Sequence, residues 1–414
     1  MTNEPTVHRI AVEDLPAWSR AVRTTMLEDP TERPELLAWR ATHFDETTSW
    51  AVRDGGRYIG TLRTFETELT VPGWDGDTLE VDADAVTGVS VAATHRRRGI
   101  LRQMLENSLE LARDRGAPVS ILIAAEWPIY GRFGYWPASR WCEATVSPRS
   151  AGARMGAGNG TVRQWDAAEV HAIAPDVFDR TRRLRTGNIV RDASDWERVF
   201  LPELRSPSDP EPTYIVHESS DGPDGFLAWH STDGFGLTSG GKIRVNDLVA
   251  ATPDAHAGLW NYLLSIDVVD EIAIANLSVD DPLPLLLTDG RTLRPRPMDA
   301  LWLRILDVPA ALTARGYAVA GRLAFEVVDD GTGDCTAGRY VLDAGDAAAT
   351  CLRDDTASPQ LRLSQRALAG VYLGDSSLRL QQAAGLVEEL EAGALRRADA
   401  MLRTGLAPWP MSGF

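Results

Sequence analysis

A chain of 414 residues is too long for a single core, and two to four domains of roughly 100–200 residues are expected. Its formal net charge of −17, from 42 Lys and Arg against 59 Asp and Glu, argues against nucleic acid as a partner and suits a cationic one. Three distant cysteines, seven histidines without an HExxH pair, and the absence of GxGxxG, GxxxxGK[ST] and GxSxG remove the main support for metal, disulfide, Rossmann, P-loop and α/β-hydrolase readings.

The N-terminal stretch MTNEPTVHRIAVEDLP has no basic region followed by an apolar one, and no apolar run is long enough to span a bilayer, so a cytoplasmic protein without a transmembrane segment is expected. To about Ala51 the pattern is helical. Asp14 can cap a helix carrying Leu15, Trp18, Val22 and Met26, and Pro34 can start the next, with Leu36, Leu37 and Trp39. Both tryptophans should face something. Tyr58–Val71 and Thr78–Val91 read as strands joined by a turn at Pro72, Gly73, Asp75 and Gly76. In TLEVDADA, alternation sets Leu79, Val81 and Ala83 against Glu80, Asp82 and Asp84. No Lys or Arg occurs between Arg63 and Arg96. This long acidic face is either a solvated sheet surface or a collar for a polycation.

At VSVAATHRRRGILRQML (Val89–Leu105) a strand breaks into a basic turn and then a helix whose apolar positions are Ile100, Leu101, Met104, Leu105, Leu109 and Ala112. Free backbone N–H groups, the helix dipole and Arg96, Arg97 and Arg98 converge there, which suits a phosphate; the plainer alternative is a solvated basic turn. VSILIAA (Val119–Ala125) completes a βαβ unit, which places ligands beyond the carboxyl ends of its strands. In IYGRFGY either all the aromatics fold onto the core or Tyr130 projects its hydroxyl into that crevice. VAAT recurs at Val249–Thr252, again followed by an amphipathic helix and by a strand, EIAIANL (Glu271–Leu277). Two copies of one βαβ core explain this. The second turn, PDAHAG, lacks the arginines, so this copy is expected to be a scaffold.

The prolines at 282, 284, 295 and 297 suit a domain connection. From about Ala300 an α+β domain is expected, with a short helix at Ala310–Arg315, strands at Ala324–Val328 and Gly338–Leu342, and a helix at Ala383–Leu402. The tail LAPWPMSGF cannot be helical; its aromatics favour docking, against the usual fraying of termini.

These residues resemble the GNAT N-acetyltransferases, and more closely the Eis (enhanced intracellular survival) acetyltransferases of actinobacteria. THRRRGIL, IYGRFGY, DDPLPLLLTD at Asp280–Asp289, LWLRI at Leu301–Ile305, VPAAL, YLG at Tyr372–Gly374 and the terminal Phe414 occur in matching order along essentially the whole chain. The resemblance implies an α/β and α+β architecture: a catalytic GNAT domain at 1–148, a degenerate GNAT-like domain at 149–298 and a sterol-carrier-like α+β domain at 299–414. It also implies acetyl-CoA as co-substrate and a homohexamer. By the same resemblance Val89, Ser90 and Val91 lie along the acetyl and pantetheine arm. Arg97, Arg98, Gly99, Ile100, Leu101 and Arg102 cradle the pyrophosphate, and Ala125 and Glu126 flank the cofactor. Tyr130 is the general acid, the Phe414 carboxylate the general base, and Asp29, Trp39, Arg40 and Trp196 line the acceptor pocket. The chain departs from the family pattern at Leu101, at Gly413 in place of an acid, and at Gly88 in place of an aromatic wall, which should widen the site.

The implied reaction is amine attack on a thioester, with polyamines, aminoglycosides, lysine side chains or lysine-containing peptides as cationic acceptors. A phenol is protonated at neutral pH and suits thiolate protonation if its pKa is tuned down from about 10. An α-carboxylate lies roughly six units below an ammonium, about 9 kcal/mol, so it orients the amine or relays its proton through water. The competing reading is a non-catalytic acyl-CoA sensor or carrier of an apolar ligand, which would bind CoA without turnover.

Overall fold

The alternating apolar pattern before the basic turn becomes a meander. The computed structural model describes residues 6–152, 159–205, 210–234, 236, 240–329, 331 and 336–414. The first lobe runs β1 (Val7–Arg9), α1 (Leu15–Thr25), α2 (Pro34–Thr42), β2 (Ser49–Asp54), β3 (Arg57–Pro72) and β4 (Thr78–Val91). It continues with α3 (Ile100–Asp114), β5 (Val119–Ile123), α4 (Trp127–Tyr130), β6 (Trp136–Pro137) and β7 (Arg140–Val146). Prolines in the first turns of α1 and α2 fit positions with no N–H to lose. Trp18 is buried and donates its indole N–H to the Trp50 carbonyl at 3.1 Å, so the apolar stripe of α1 faces the sheet as its spacing predicts.

The second lobe runs α5 (Pro148–Ala151), β8 (Thr161–Trp165), α6 (Ala167–Arg182), α7 (Ala193–Phe200), β9 (Thr213–Ser219), β10 (Gly222–Asp233) and β11 (Gly241–Ala250). After it come α8 (Pro253–Leu264), β12 (Val269–Leu277), α9 (Leu283–Leu286) and β13 (Arg294–Asp299). The repeat is real: β4–α3–β5 and β11–α8–β12 are both βαβ units with parallel strands.

Beyond β14 (Leu301–Ile305), the third domain holds α10 (Val308–Thr313), β15 (Gly321–Val328), β16 (Gly338–Ala344), β17 (Ala349–Arg353) and β18 (Leu361–Ser364). It ends with α11 (Gln365–Tyr372), α12 (Leu378–Ala383), β19 (Val387–Glu389) and α13 (Ala394–Leu402). The single helix expected at Ala383–Leu402 is instead α12, β19 and α13. Gly385 and Gly393, at φ +75° and +86°, turn the chain on either side of β19.

The sheets are ordered β1-β2-β3-β4-β5-β14-β6, β13-β7-β12-β11-β10-β9-β8 and β17-β16-β15-β18-β19. The two lobes therefore exchange strands. β7 leaves the first lobe to sit between β12 and β13, and β14 returns to sit between β5 and β6. The linear boundaries expected after residues 148 and 298 consequently do not coincide with the sheets. Pro295 and Pro297 are not a connector; they lie in β13, an edge strand, where alternate N–H positions face away from the ladder.

Both faces of the first sheet are covered. Ile100, Met104 and Leu105 of α3 pack on one with Val86 and Leu122, and the third domain packs on the other with Val81, Ala83 and Ala85. Asp84 lies on the α3 side and is buried, contrary to the solvated or collar-forming acidic face expected. Burial pushes its carboxyl up to about 7, partly offset by the Thr64 hydroxyl, Arg115 and the Ser120 hydroxyl. Three of the other acids, Glu66, Glu68 and Glu80, are paired from elsewhere in the fold. Arg182, only 2% exposed, pairs with Glu68, Glu80 and Asp179, and Arg115 pairs with Glu66 at 2.8 Å. Among the described residues no helix is long and apolar enough to cross a membrane.

Candidate active site

The site begins where β4 and β5 part. Their parallel pairing ends at Val86↔Leu122, while β4 continues to Val91 with only β3 beside it. The β5-facing edge of Thr87–Val91 is thus left without a strand partner, and Ala125 and Glu126 follow β5 on the far side of the gap. A register shift opposite Thr61–Arg63 inserts an extra β4 residue here. Gly88 supplies the backbone for it at φ +59°, and Thr61 donates to the Gly88 carbonyl at 2.9 Å while sharing a 2.6 Å hydrogen bond with Ser90. A Cβ on Gly88 would lie 2.9 Å from the Trp18 indole, which therefore packs against the glycine.

Past β4 the chain enters the basic turn. Arg97 and Gly99 both adopt the left-handed conformation, at φ +65° and +79°. Arg97 holds a backbone that favours glycine, a local strain common at ligand-binding turns. The first α-helical bond of α3 runs from Gln103 N–H to the Gly99 carbonyl at 3.0 Å, leaving the N–H groups of Ile100, Leu101 and Arg102 free at the helix start. Arg97, Arg98 and Arg102 are exposed around them, whereas the Ile100 side chain is buried and serves the core. Free N–H groups, a helix dipole and guanidinium charges meet beyond the open strand ends, which suits an anion such as a pyrophosphate.

Tyr130, at the end of α4, is 5% exposed and belongs to the apolar cluster with Val86 and Leu122, on whose margin Val89 packs. Burial, then Glu126, pushes its phenol up to about 12. This is opposite to the downward tuning that full proton transfer to the thiolate would need. The hydroxyl is protonated at neutral pH.

The C-terminal tail is docked between the lobes. Trp409 N–H donates to the Thr186 carbonyl at 2.9 Å, Met411 N–H to Asn188 Oδ1 at 2.8 Å, and Asn276 Nδ2 to the Pro410 carbonyl at 2.8 Å. Arg191, bonded to Asp247, donates to the Ser412 hydroxyl at 2.6 Å and stacks over Phe178 and Trp196. Phe414 sets its ring edge-on to Phe65 of β3 at 5.4 Å.

The tail ends in a cavity of about 1350 Å³ lined by both lobes. Phe414, Trp39, Arg40 and Gly88 line it from the predicted set and its surroundings. Thr87 and Gly88 also begin the parted segment of β4, so the cavity and the gap between β4 and β5 meet at that point. Trp39 donates its indole N–H to Glu197 at 2.7 Å, which ties α2 to α7. Tyr130 does not line the cavity; it packs in the cluster with Val86 and Leu122, whereas Phe414 lines the cavity.

Two expected pocket residues are elsewhere. Trp196 is buried among Phe178, Phe200 and Phe226, and reaches the cavity only through Arg191 stacked upon it. Asp29 is exposed and caps its own turn, accepting from Thr31 N–H at 2.8 Å. The second lobe is more than scaffold, because Asp247 and Asn276, at the carboxyl-terminal parts of β11 and β12, wall the cavity. Sequence reading missed them because their signal, the same βαβ strand ends, was discounted with the lost arginines.

Residues 6–138 and 187–305 each match the acetyltransferase (GNAT) domain families, and residues 308–411 the sterol carrier protein domain. The chain is 40% identical to an uncharacterized N-acetyltransferase of Streptomyces griseus, over 97% of this chain and 98% of that one. It is 35% identical to the N-acetyltransferase Eis of Mycobacterium tuberculosis, over 88% of each chain. The crystal structure of Eis1 from Mycobacterium abscessus superposes with a TM-score of 0.85 at 29% identity, covering 99% of this chain and 100% of that one.

Proposed function

The chain belongs to the Eis family of GNAT N-acetyltransferases, and from that premise we propose that it acetylates the amino group of an acceptor held in the inter-lobe cavity, with Tyr130 and the Phe414 carboxylate as the working groups. One observation carries the reading: the parted β4 strand runs from the free helix N-terminus of α3 to the wall of the cavity in which the C-terminus ends. Acetyl-CoA supplies the activated acyl group and a thiolate leaving group. The N–H groups of Ile100, Leu101 and Arg102, with Arg97 and Arg98, hold its pyrophosphate. The open edge of Val89–Val91 offers main-chain N–H to an oxyanion, an interaction worth a few kcal/mol.

Tyr130 donates its hydroxyl toward the departing sulfur. With its phenol at about 12 against a thiol near 8.5, complete transfer in the ground state is uphill by about 3.5 units, about 5 kcal/mol. The hydroxyl therefore acts first as a hydrogen-bond donor to growing thiolate charge, and the proton moves late. Phe414 orients the neutral amine or passes its proton to water. Cationic amines, including polyamines, aminoglycosides and lysine side chains, suit the acids of the cavity, Asp45, Glu143 and Asp195 among them. Incubation with acetyl-CoA and a mixed amine panel, read by mass spectrometry, tests this. Acetylated amines with matching CoA release are expected; CoA bound without transfer to any amine would overturn the proposal in favour of a sensor.

A further inference from the structure

The acceptor cavity carries arginine as well as acid, and the arginines are not equally satisfied. Arg40 is paired with Glu32 at 2.8 Å, Arg115 with Glu66 at 2.8 Å, and Arg191 with Asp247. Arg63 of β3 and Arg198 of α7 also line the cavity, one from each lobe, and neither has an ion-pair partner among the described residues. Arg63 is half-buried. Its guanidinium is held below the usual arginine range by burial first, then by repulsion from Arg40, with Asp195 opposing and Arg198 adding to the repulsion. The facing carboxylates are already engaged in the α7 capping box. Asp192 accepts from Asp195 N–H at 3.0 Å and from the Ser194 hydroxyl at 2.7 Å, and Asp195 accepts from Asp192 N–H at 3.2 Å. A half-buried guanidinium with no bonded carboxylate gains a charge-assisted pair from an incoming one.

We propose that Arg63 and Arg198 form an anion subsite that binds the carboxylate of the acceptor, so that the substrate class is an amine bearing a free carboxylate, an amino acid or the end of a short peptide. This rests on the acetyltransferase reading above and narrows its acceptor. Arg63 and Phe65 are two residues apart on one face of β3, roughly 7 Å along the strand, and Phe65 touches the Phe414 ring. Cationic and anionic ends of one small acceptor thus find opposite charges in a single cavity. A phosphate dianion is disfavoured there, because Asp45, Asp192, Asp195 and the Phe414 carboxylate share the walls.

L-Lysine and cadaverine differ only by the carboxylate and make the matched test. With the full chain and acetyl-CoA, the ratio of kcat/KM for lysine over cadaverine is expected to fall at least tenfold in Arg63→Gln and severalfold in Arg198→Gln. Arg198 is exposed, so its variant keeps the test available should Arg63→Gln fail to fold. An unchanged ratio in folded variants would overturn the subsite. Calorimetric titration of 5-aminopentanoate against pentylamine gives a readout without turnover: tighter binding of the carboxylate compound, lost in Arg63→Gln, supports the subsite even in a protein that transfers no acetyl group. Equal binding of the two compounds would overturn the inference while leaving the transferase reading intact.

Discussion

Replacing Asp84 by Asn should stabilise the first lobe, and only above a definite pH. Asp84 is paired in register with Ser120, two residues before β4 and β5 part, and its carboxyl is pushed from 3.8 up to about 7 by burial. Because the folded state holds this proton more tightly than the unfolded chain, its stabilising effect is complete below pH 4 and is lost as pH rises to 7. A shift of about 3 units corresponds to about 4 kcal/mol, a large share of a typical domain's 5–15 kcal/mol. Asn is nearly isosteric, keeps an oxygen for the Ser120 hydroxyl and has no charge to desolvate. Scanning calorimetry of both proteins from pH 4 to 9 checks this. The curves should coincide near pH 4 and diverge in favour of Asp84→Asn until about pH 7, then run parallel. A variant less stable than the parent at pH 8, or a pH-independent difference, would refute a carboxylate whose burial outweighs its partners.

Tyr130→Phe should lower kcat by about 10² through loss of the donor to the leaving sulfur, with acetyl-CoA affinity measured by titration little changed. Because the parent phenol lies at about 12, rate profiles should show no alkaline loss from this group up to pH 10; a limb near pH 9 that disappears in Tyr130→Phe would contradict the environment described. Appending two residues after Phe414 converts the α-carboxylate to an amide while Arg191 still holds Ser412 and Met411. Turnover should drop while CoA binding persists, and unaltered turnover would remove the terminus from the chemistry. Gly413→Glu has room, since an added Cβ first meets Trp141 at 4.0 Å; it should lower KM for diamines severalfold and raise it for carboxylate-bearing acceptors, whereas identical shifts for both would show that position 413 does not set charge preference.

Much of the fold was legible because it rests on short-range periodicity. The strands around TLEVDADA, the helix after HRRRG and the duplicated βαβ core follow from residue spacing alone, and so does the pairing of a helix start with arginines. Periodicity misled where a partner lies far away in sequence. Asp84 alternates like a solvated acid, yet α3 covers that face, and Arg182, a hundred residues on, takes the charge of Glu80. Pro295 and Pro297 read as a connector until β7 is seen to cross over and make their strand an edge.

The sequence by itself determined the local units: the βαβ unit, the cationic turn, the tyrosine after β5, and a tail unable to form helix. Tertiary structure decided which units share a space. It carried Phe414 to the cavity by anchoring the tail on Asn188, Arg191 and Asn276 of the second lobe, withdrew Trp196 into a core, and brought Arg63 and Arg198 to one cavity. The physical reason is that backbone periodicity is written in neighbouring residues, whereas burial and charge compensation depend on which distant side chain arrives, and that is settled by the exchange of β7 and β14 between the sheets.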